Sequence, residues 1–298
     1  MKSALIMGGT QFFGKRLVEN LLGAGMDVTI ATRGRTPDPF GDRVNRLIID
    51  REHRETLEAA FDGKQWDVVY DQTCYSPSEA LDTLEILKGK AGRYIFTSTM
   101  AVYDFGRRKV EADFDPYRYP TDKIGTRREY PGLMGYQEAK RTAEALLFQR
   151  ADFPVVAVRF PIVIGPDDFT NRLRFHVEHV EKGLEMGVGN PDHSIGFISS
   201  EDAGRTLSWL ADRTYVGPVN ASSLGDLTMG ELIALIEDVV GKQAIVAAQA
   251  AEPQHQSPYA MPGSWSLDSS KIAAAGFQAS RLMAWLPGLL KSYVSNGN

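Results

Sequence analysis

The first fourteen residues constrain the fold more than any other stretch. Residues 4–7 form a short apolar run without charge, and Gly8-Gly9-Thr10-Gln11-Phe12-Phe13-Gly14 follows at once. Residues 15–22 then carry apolar side chains at helical spacing. An apolar run without alternation predicts a strand buried on both faces, as in a parallel sheet covered by helices. Strand, glycine turn and helix together present free backbone N–H groups and the positive end of a helix dipole, an arrangement that holds phosphate. Two outcomes stay open here. The turn cradles the pyrophosphate of a dinucleotide, or it is a plain strand-to-helix turn that binds nothing.

The pattern recurs along the first half. Residues 26–31, 46–49, 67–70, 93–98 and 155–159 read as further strands with helices between them. The expected fold class is α/β, a Rossmann-type doubly wound parallel sheet with a smaller C-terminal substrate-binding domain. From Phe160 the rhythm loosens. Helices are expected at 171–182, from Ser200 or Glu201 to Ala211, at 232–240 and once or twice within 267–298, with a strand at 217–220. The domains are therefore drawn as 1–165, a dinucleotide-binding domain completed by about 196–212, and 166–298, a smaller mixed α/β domain closing over the strand ends. Residues 104–133 form a long polar, proline-containing excursion with basic clusters at 107–109 and 127–128. Such a loop is expected to be a functional cover or a mobile segment.

Composition excludes several classes of function. The 298-residue chain has a net charge of −5, so no overall basic field draws it to nucleic acid or a membrane. Residues 155–165 are apolar but too few for a membrane span, and they contain Arg159. The chain enters its first strand directly, so no signal peptide is expected. Its single cysteine, Cys74, allows no internal disulfide. With no histidine or lysine adjacent in sequence, Cys74 reads as a packing residue. The expectation is a cytoplasmic protein, monomer or homodimer, with a small-molecule substrate and no metal.

The candidate chemistry sits at the ends of the strands. After the second strand comes Thr32-Arg33-Gly34-Arg35. In a dinucleotide fold this turn meets the adenosine ribose, where a carboxylate accepts from both hydroxyls and an arginine suits a 2′-phosphate. Arg33 and Arg35, with no carboxylate beside them, favour NADP(H) over NAD(H). The alternative is a solvated basic turn. Asp50, after the third strand, either accepts from the adenine amino group or caps a helix starting near Glu52. Ser76 and Pro77 have the form of an N-cap and a first helical residue. Thr97-Ser98-Thr99 places three hydroxyls at the end of the fifth strand, where open parallel sheets bind their ligands. Tyr136 and Lys140 lie four apart and share a helix face. A free tyrosine, with a pKa of about 10, is a poor base at neutral pH, and a nearby ammonium stabilises its phenolate. Such a tyrosine moves a proton at an alcohol or carbonyl while hydride passes to or from a nicotinamide.

Four stretches carry a family resemblance: residues 7–14, 98–103, 136–140 and 159–166. Together they resemble the extended short-chain dehydrogenase/reductase superfamily, also described as NAD-dependent epimerase/dehydratase. The resemblance covers nearly the whole chain, including later landmarks at 199–204 and 266–271. It implies that Tyr136 is the catalytic acid/base, that Lys140 lowers its pKa and binds the nicotinamide ribose, and that Thr99 is the catalytic hydroxyl. It places Ser98 on the cofactor side. The cofactor-binding set is then Gly8, Gly9, Thr10, Gln11, Phe12, Phe13, Gly14, Arg33, Arg35, Asp50, Thr73, Ser98, Tyr136, Lys140 and Pro161. Candidate substrate contacts are Tyr75, Thr99, Arg172 and His193.

Three features, at four positions, depart from the family. Gln11 stands where the middle glycine of Gly-x-x-Gly-x-x-Gly is usual. Ile162 stands where many nucleotide-sugar enzymes have asparagine. Met100-Ala101 replaces the Asp-Glu pair of sugar-nucleotide dehydratases, which disfavours that dehydration. The implied activity is hydride transfer at a secondary alcohol or ketone, as an epimerase, a dehydratase or an NADPH-dependent reductase. A second class competes, because the Gly-Gly-Thr-x-Phe-x-Gly start also resembles chloroplast stem-loop RNA-binding proteins. In that class the basic clusters at 107–109 and 127–128 would meet phosphates. The acidic net charge and the Tyr136/Lys140 pair weigh against nucleic acid.

Overall fold

The structure, a computed structural model, describes residues 2–294. The chain forms two units. One comprises Met1–Tyr103, Glu111–Phe160 and Ala203–Asn220; the other comprises Asp104–Val110, Pro161–Asp202 and Ala221–Asn298. The chain thus returns to the first unit at Ala203–Asn220.

The first unit is built on seven strands: β1 (Ser3–Met7), β2 (Asp27–Thr32), β3 (Asn45–Ile48), β4 (Val68–Asp71), β5 (Tyr94–Thr99), β6 (Val155–Phe160) and β7 (Gly217–Asn220). Their order is β7-β6-β5-β4-β1-β2-β3, and every neighbouring pair is parallel. The direction of winding reverses between β1 and β4. That reversal opens the crevice where such sheets take ligands, at the carboxyl ends of the strands.

Sequence explains the layering. Ala4, Leu5, Ile6 and Met7 are all fully buried, as a strand covered on both faces requires. Leu5 and Met7 join a core with Val69 and Phe96. That core is completed by Leu57 and Phe61 of helix α2 (Arg54–Phe61), Ala80 and Leu84 of α3 (Pro77–Ile86), and Ala143 and Leu147 of α4 (Gly132–Arg150). On the other face, Leu17, Val18 and Leu21 are the buried stripe of α1 (Phe12–Gly23). Each such aliphatic side chain contributes about 1.5–3 kcal/mol on burial. Ser76 and Pro77 start α3 as expected, but the Ser76 hydroxyl pairs with that of Ser78 and does not cap the helix.

The second unit has a four-stranded sheet in the order Leu227–Thr228, Ser194–Ile195, Trp265–Leu267, Gly106–Lys109. Two parallel pairs accompany it, Ile162–Ile164 with Phe197–Ser199 and Glu185–Gly187 with Ile245–Ala247. Its helices are Arg172–Lys182, Met229–Val240, Ser270–Ala274 and Leu282–Tyr293. The excursion expected at 104–133 is largely built into the protein. Residues 106–109 are a strand of the second unit's sheet, and the stretch from Glu111 belongs to the first unit. Gln149 Nε2, on α4, donates to Pro116 O at 2.8 Å and Tyr119 O at 2.9 Å. Among the described residues no helix is long and apolar enough to cross a membrane.

Candidate functional site

The glycine turn departs from ordinary backbone. Gly8 has φ +113° and Gly9 φ +92°, values open to glycine and strained for other residues. Phe12, the first residue of α1, also has positive φ, at 52°. A bulky residue held in the left-handed region is a strained position of the kind that clusters at ligand sites. A Cβ on Gly14 would stand 3.1 Å from Gly9 Cα, so the helix start and the turn approach backbone to backbone. Gln11 is the extended N-cap residue, exposed, and its side chain caps no N–H of α1. With no side-chain cap at the helix start and glycines lining the approach, the turn fits a phosphate group.

Beyond β2, Arg33 and Arg35 are exposed and make no ion pair among the described residues. The neighbouring arginines are committed: Arg46 pairs with Asp38 at 2.7 Å, and Arg43 Nε donates to Phe40 O at 3.2 Å. Asp50 works on its own turn, its Oδ1 accepting from Glu52 N at 3.2 Å. Helix α2 begins at Arg54 with His53 as N-cap, so Asp50 does not cap it.

Helix α4 lays a polar face on the sheet. Gln137, Lys140 and Glu144 are buried there. Lys140 Nζ donates to Cys74 O at 3.0 Å and Thr97 O at 2.9 Å, and stands 4.0 Å from the centre of the Phe96 ring. Cys74 follows β4 and Thr97 lies in β5, so the ammonium sits at the carboxyl ends of two adjacent strands. Burial pulls its pKa below the ordinary lysine value, against the pull of nearby carboxylates. Two of its three N–H groups are engaged. Tyr136 is half-buried one turn earlier on α4. Thr99 Oγ1 accepts from Ala101 N at 3.1 Å, capping the short turn Met100–Val102.

Ser98 faces inward. Its hydroxyl donates to Glu144 Oε2 at 2.5 Å, and Glu144 is ion-paired with fully buried Arg159. Arg159 also donates to Tyr103 Oη at 2.7 Å and Glu111 O at 3.0 Å, and Tyr103 Oη in turn donates to Asn220 Oδ1 at 2.7 Å. This network ties β5, β6, β7 and α4 together.

The loop after β4 is clamped. Thr73 donates to Asp71 Oδ1 through its N–H at 2.9 Å and its hydroxyl at 3.2 Å. Arg127 forms an ion pair with buried Glu79, donates to Thr73 O at 2.7 Å and lies 4.8 Å from the centre of the Tyr75 ring. Cys74 is buried, and burial pushes its thiol up to about 12, so it is a packing residue as its sequence context implied. The arginines expected to meet phosphates pair with carboxylates: Arg107 with Asp226 at 3.4 Å, Arg108 with Asp268 at 2.8 Å, Arg128 with Glu52 at 3.7 Å.

The remaining candidates lie in the second unit. Pro161 is its buried first residue after β6. Arg172 opens a helix and bonds Thr170 Oγ1 at 3.1 Å, and His193 Nδ1 donates to Met261 O at 3.2 Å. Among the described residues no group of three or more His, Cys, Asp and Glu is arranged to hold a metal ion.

Sequence reasoning passed over Glu144, Arg159, Glu79 and Gln72. The first had a signal: polar residues at 137, 140 and 144 repeat at helical spacing on one face. Glu79 and Arg127 are 48 positions apart and give no local sign of pairing.

A family model described as the NAD dependent epimerase/dehydratase family matches residues 4–220. The chain is 24% identical over 288 residues to UDP-glucuronic acid decarboxylase 1 of Arabidopsis thaliana, covering 85% of this chain and 62% of that protein. It is 32% identical over 202 residues to the chloroplast stem-loop binding protein of 41 kDa b of the same plant, covering 63% of this chain and 49% of that one. The chain thus spans about half to six-tenths of the length of these relatives. Among solved structures, a UDP-glucose 4-epimerase of Thermus thermophilus in complex with NAD has a TM-score of 0.71 at 19% identity, covering 99% of this chain and 100% of that one. A UDP-glucose 4-epimerase of Thermotoga maritima with UDP-glucose has a TM-score of 0.73 at 17% identity, covering 98% and 97%.

Proposed function

This chain belongs to the NAD dependent epimerase/dehydratase family, and from that premise we propose that it is an NAD(P)-dependent enzyme of extended short-chain type. It acts at a secondary alcohol or ketone of a sugar, a nucleotide sugar or a similar small metabolite. The observation that carries this assignment is Lys140, a buried ammonium at the ends of β4 and β5, one helical turn from Tyr136.

When bound, the dinucleotide supplies a nicotinamide ring that accepts or returns hydride. Gly8 to Gly14 hold its pyrophosphate. Tyr136 takes the proton of the substrate hydroxyl, or gives one to the carbonyl oxygen. The Lys140 charge lowers the cost of the phenolate, and its third N–H is left to bind the ribose. Thr99 keeps its O–H to donate to the same substrate oxygen. Arg33 and Arg35, exposed and unpaired, favour a 2′-phosphate and hence NADP(H). A freely exchanging NADP(H) suits a reductase of a non-sugar carbonyl, the nearest competitor. Ile162 also leans away from a nucleotide-sugar substrate, and Met100-Ala101 leans away from dehydration.

Similarity to a stem-loop binding protein favours a second reading, an RNA-binding protein on the same fold. The ion-paired arginines at 107, 108, 127 and 128 count against it.

The test is turnover. The protein is incubated with NADP⁺ or NAD⁺ and a panel of nucleotide sugars, and with NADPH and a panel of carbonyl compounds. Reduced-nicotinamide absorbance and product chromatography are followed. Tyr136→Phe is expected to lose at least about a hundredfold in kcat with dinucleotide affinity unchanged. Turnover that survives Tyr136→Phe would contradict the assignment.

A further inference from the structure

Gln72 follows β4 directly, and its backbone N–H donates to Met7 O at 3.1 Å. That bond fixes its Cα beside the end of β1, where Gly8 begins the turn. The side chain then crosses the turn. Its Oε1 lies 3.2 Å from where a Cβ on Gly8 would stand, and closer still to where one on Gly14 would stand. A side chain at position 14 would therefore have to displace the Gln72 amide.

The amide is also unsatisfied. Nε2 is buried and has no hydrogen-bond partner among the described residues. A buried donor left unpaired is costly. Its neighbour shows the contrast: Asp71 accepts from Arg51 at 2.9 Å, from Tyr94 at 2.6 Å and from Thr73 at 2.9 Å. The amide thus lies with its oxygen against a glycine turn at the start of a helix and carries a donor that has no acceptor among the described residues; such a side chain suits an acceptor supplied by a ligand. The turn itself has Gln11 in place of its usual middle glycine, and that side chain points no cap at α1.

We propose that Gln72 is a cofactor-binding residue whose side-chain amide donates to the pyrophosphate of the dinucleotide across Gly8 and Gly14. This rests on the dinucleotide assignment of the turn. A half-turn about the last side-chain torsion exchanges Oε1 and Nε2 and brings the N–H to the face of the loop; that torsion is broad and two-fold. The amide so placed supplies from β4 a contact that the departure at position 11 takes from the turn.

Two variants separate ligand binding from folding. Gln72→Met keeps the length and removes the donor; Gln72→Glu keeps the shape and puts negative charge beside the phosphates. Calorimetry measures the Kd of NADPH, NADH, ADP and adenosine, and the Tm of each ligand-free protein is recorded. Gln72→Met is expected to weaken ADP and the preferred dinucleotide about tenfold, and Gln72→Glu more, with adenosine unchanged. The ligand-free Tm of Gln72→Met should not fall, because Nε2 has no protein partner to lose. ADP affinity unchanged in both variants would overturn the role of Gln72 and leave the dinucleotide site standing. A fall in Tm accompanied by equal losses for ADP and adenosine would mark a purely structural residue. Failure of the wild-type protein to bind any dinucleotide or ADP would overturn both assignments.

Discussion

At the scale of single residues, Lys140 carries two jobs. Its ammonium is the charge invoked beside Tyr136, and it is also the donor that satisfies Cys74 O and Thr97 O in the interior. Removing it leaves two buried carbonyls unpaired, at about 1–3 kcal/mol each. Lys140→Met should therefore lower the stability of the first unit by about 2 kcal/mol or more, measured by urea unfolding. An unchanged midpoint would mean that the two carbonyls are not held by this side chain. Loss of activity in a Lys140 variant is accordingly ambiguous, and Tyr136 is the cleaner position for testing chemistry. Arg33 and Arg35 stand at the opposite extreme. They are exposed and unpaired, beside Arg46 and Arg43 that are engaged, so only the first two are available to a ligand.

At the scale of elements, the helix Arg172–Lys182 of the second unit contains a buried histidine that must stay neutral. His176 Nδ1–H donates to Arg172 O at 2.9 Å, so Nε2 accepts from the Ser257 hydroxyl at 2.7 Å. Burial lowers its pKa from 6.5 to about 4. The unfolded chain therefore binds more protons between those values, and stability rises with pH across the window. The contribution is complete above about 6.5, declines as pH falls toward about 4, and amounts to about 3 kcal/mol. Hydrogen exchange of this helix should show that loss in the wild type and a flatter pH profile in His176→Phe. Identical profiles would show that His176 is not the group titrating.

Elements were also what the sequence specified best. Most strands of the first unit were legible as short runs with apolar residues ended by turn residues, and β1 was unmistakable because nothing in residues 4–7 is polar. The helices began and ended within a few residues of the expected places: 171–182 became Arg172–Lys182, and the start expected at Leu232 moved to Met229. Thr228 explains the second shift, since its side chain and Glu231 form a capping box one turn before the apolar stripe. Within the excursion at 104–133 the strand Gly106–Lys109 was not legible, because its pairing with Trp265–Leu267 joins segments far apart in sequence. Tyr136, Lys140 and the glycine turn were legible because their spacing is local. Arg159 with Glu144, Arg127 with Glu79 and Gln72 against Gly14 were not, because each becomes meaningful only when the sheet brings distant residues together.

At the scale of the whole molecule, three features of the first unit converge on the carboxyl ends of its strands: the glycine turn after β1, Arg33 and Arg35 after β2, and the Tyr136/Lys140 helix against β4 and β5. The arginines of the basic clusters elsewhere, at 107, 108, 127 and 128, pair with carboxylates of the protein. A fluorescence titration of the purified protein with NADPH and NADH tests whether that convergence is a dinucleotide site. Saturable binding is expected, with NADPH preferred and the preference reduced about tenfold or more in Arg33→Ala through loss of a charged contact. Binding of neither dinucleotide, together with steeply salt-dependent binding of a stem-loop RNA, would contradict it.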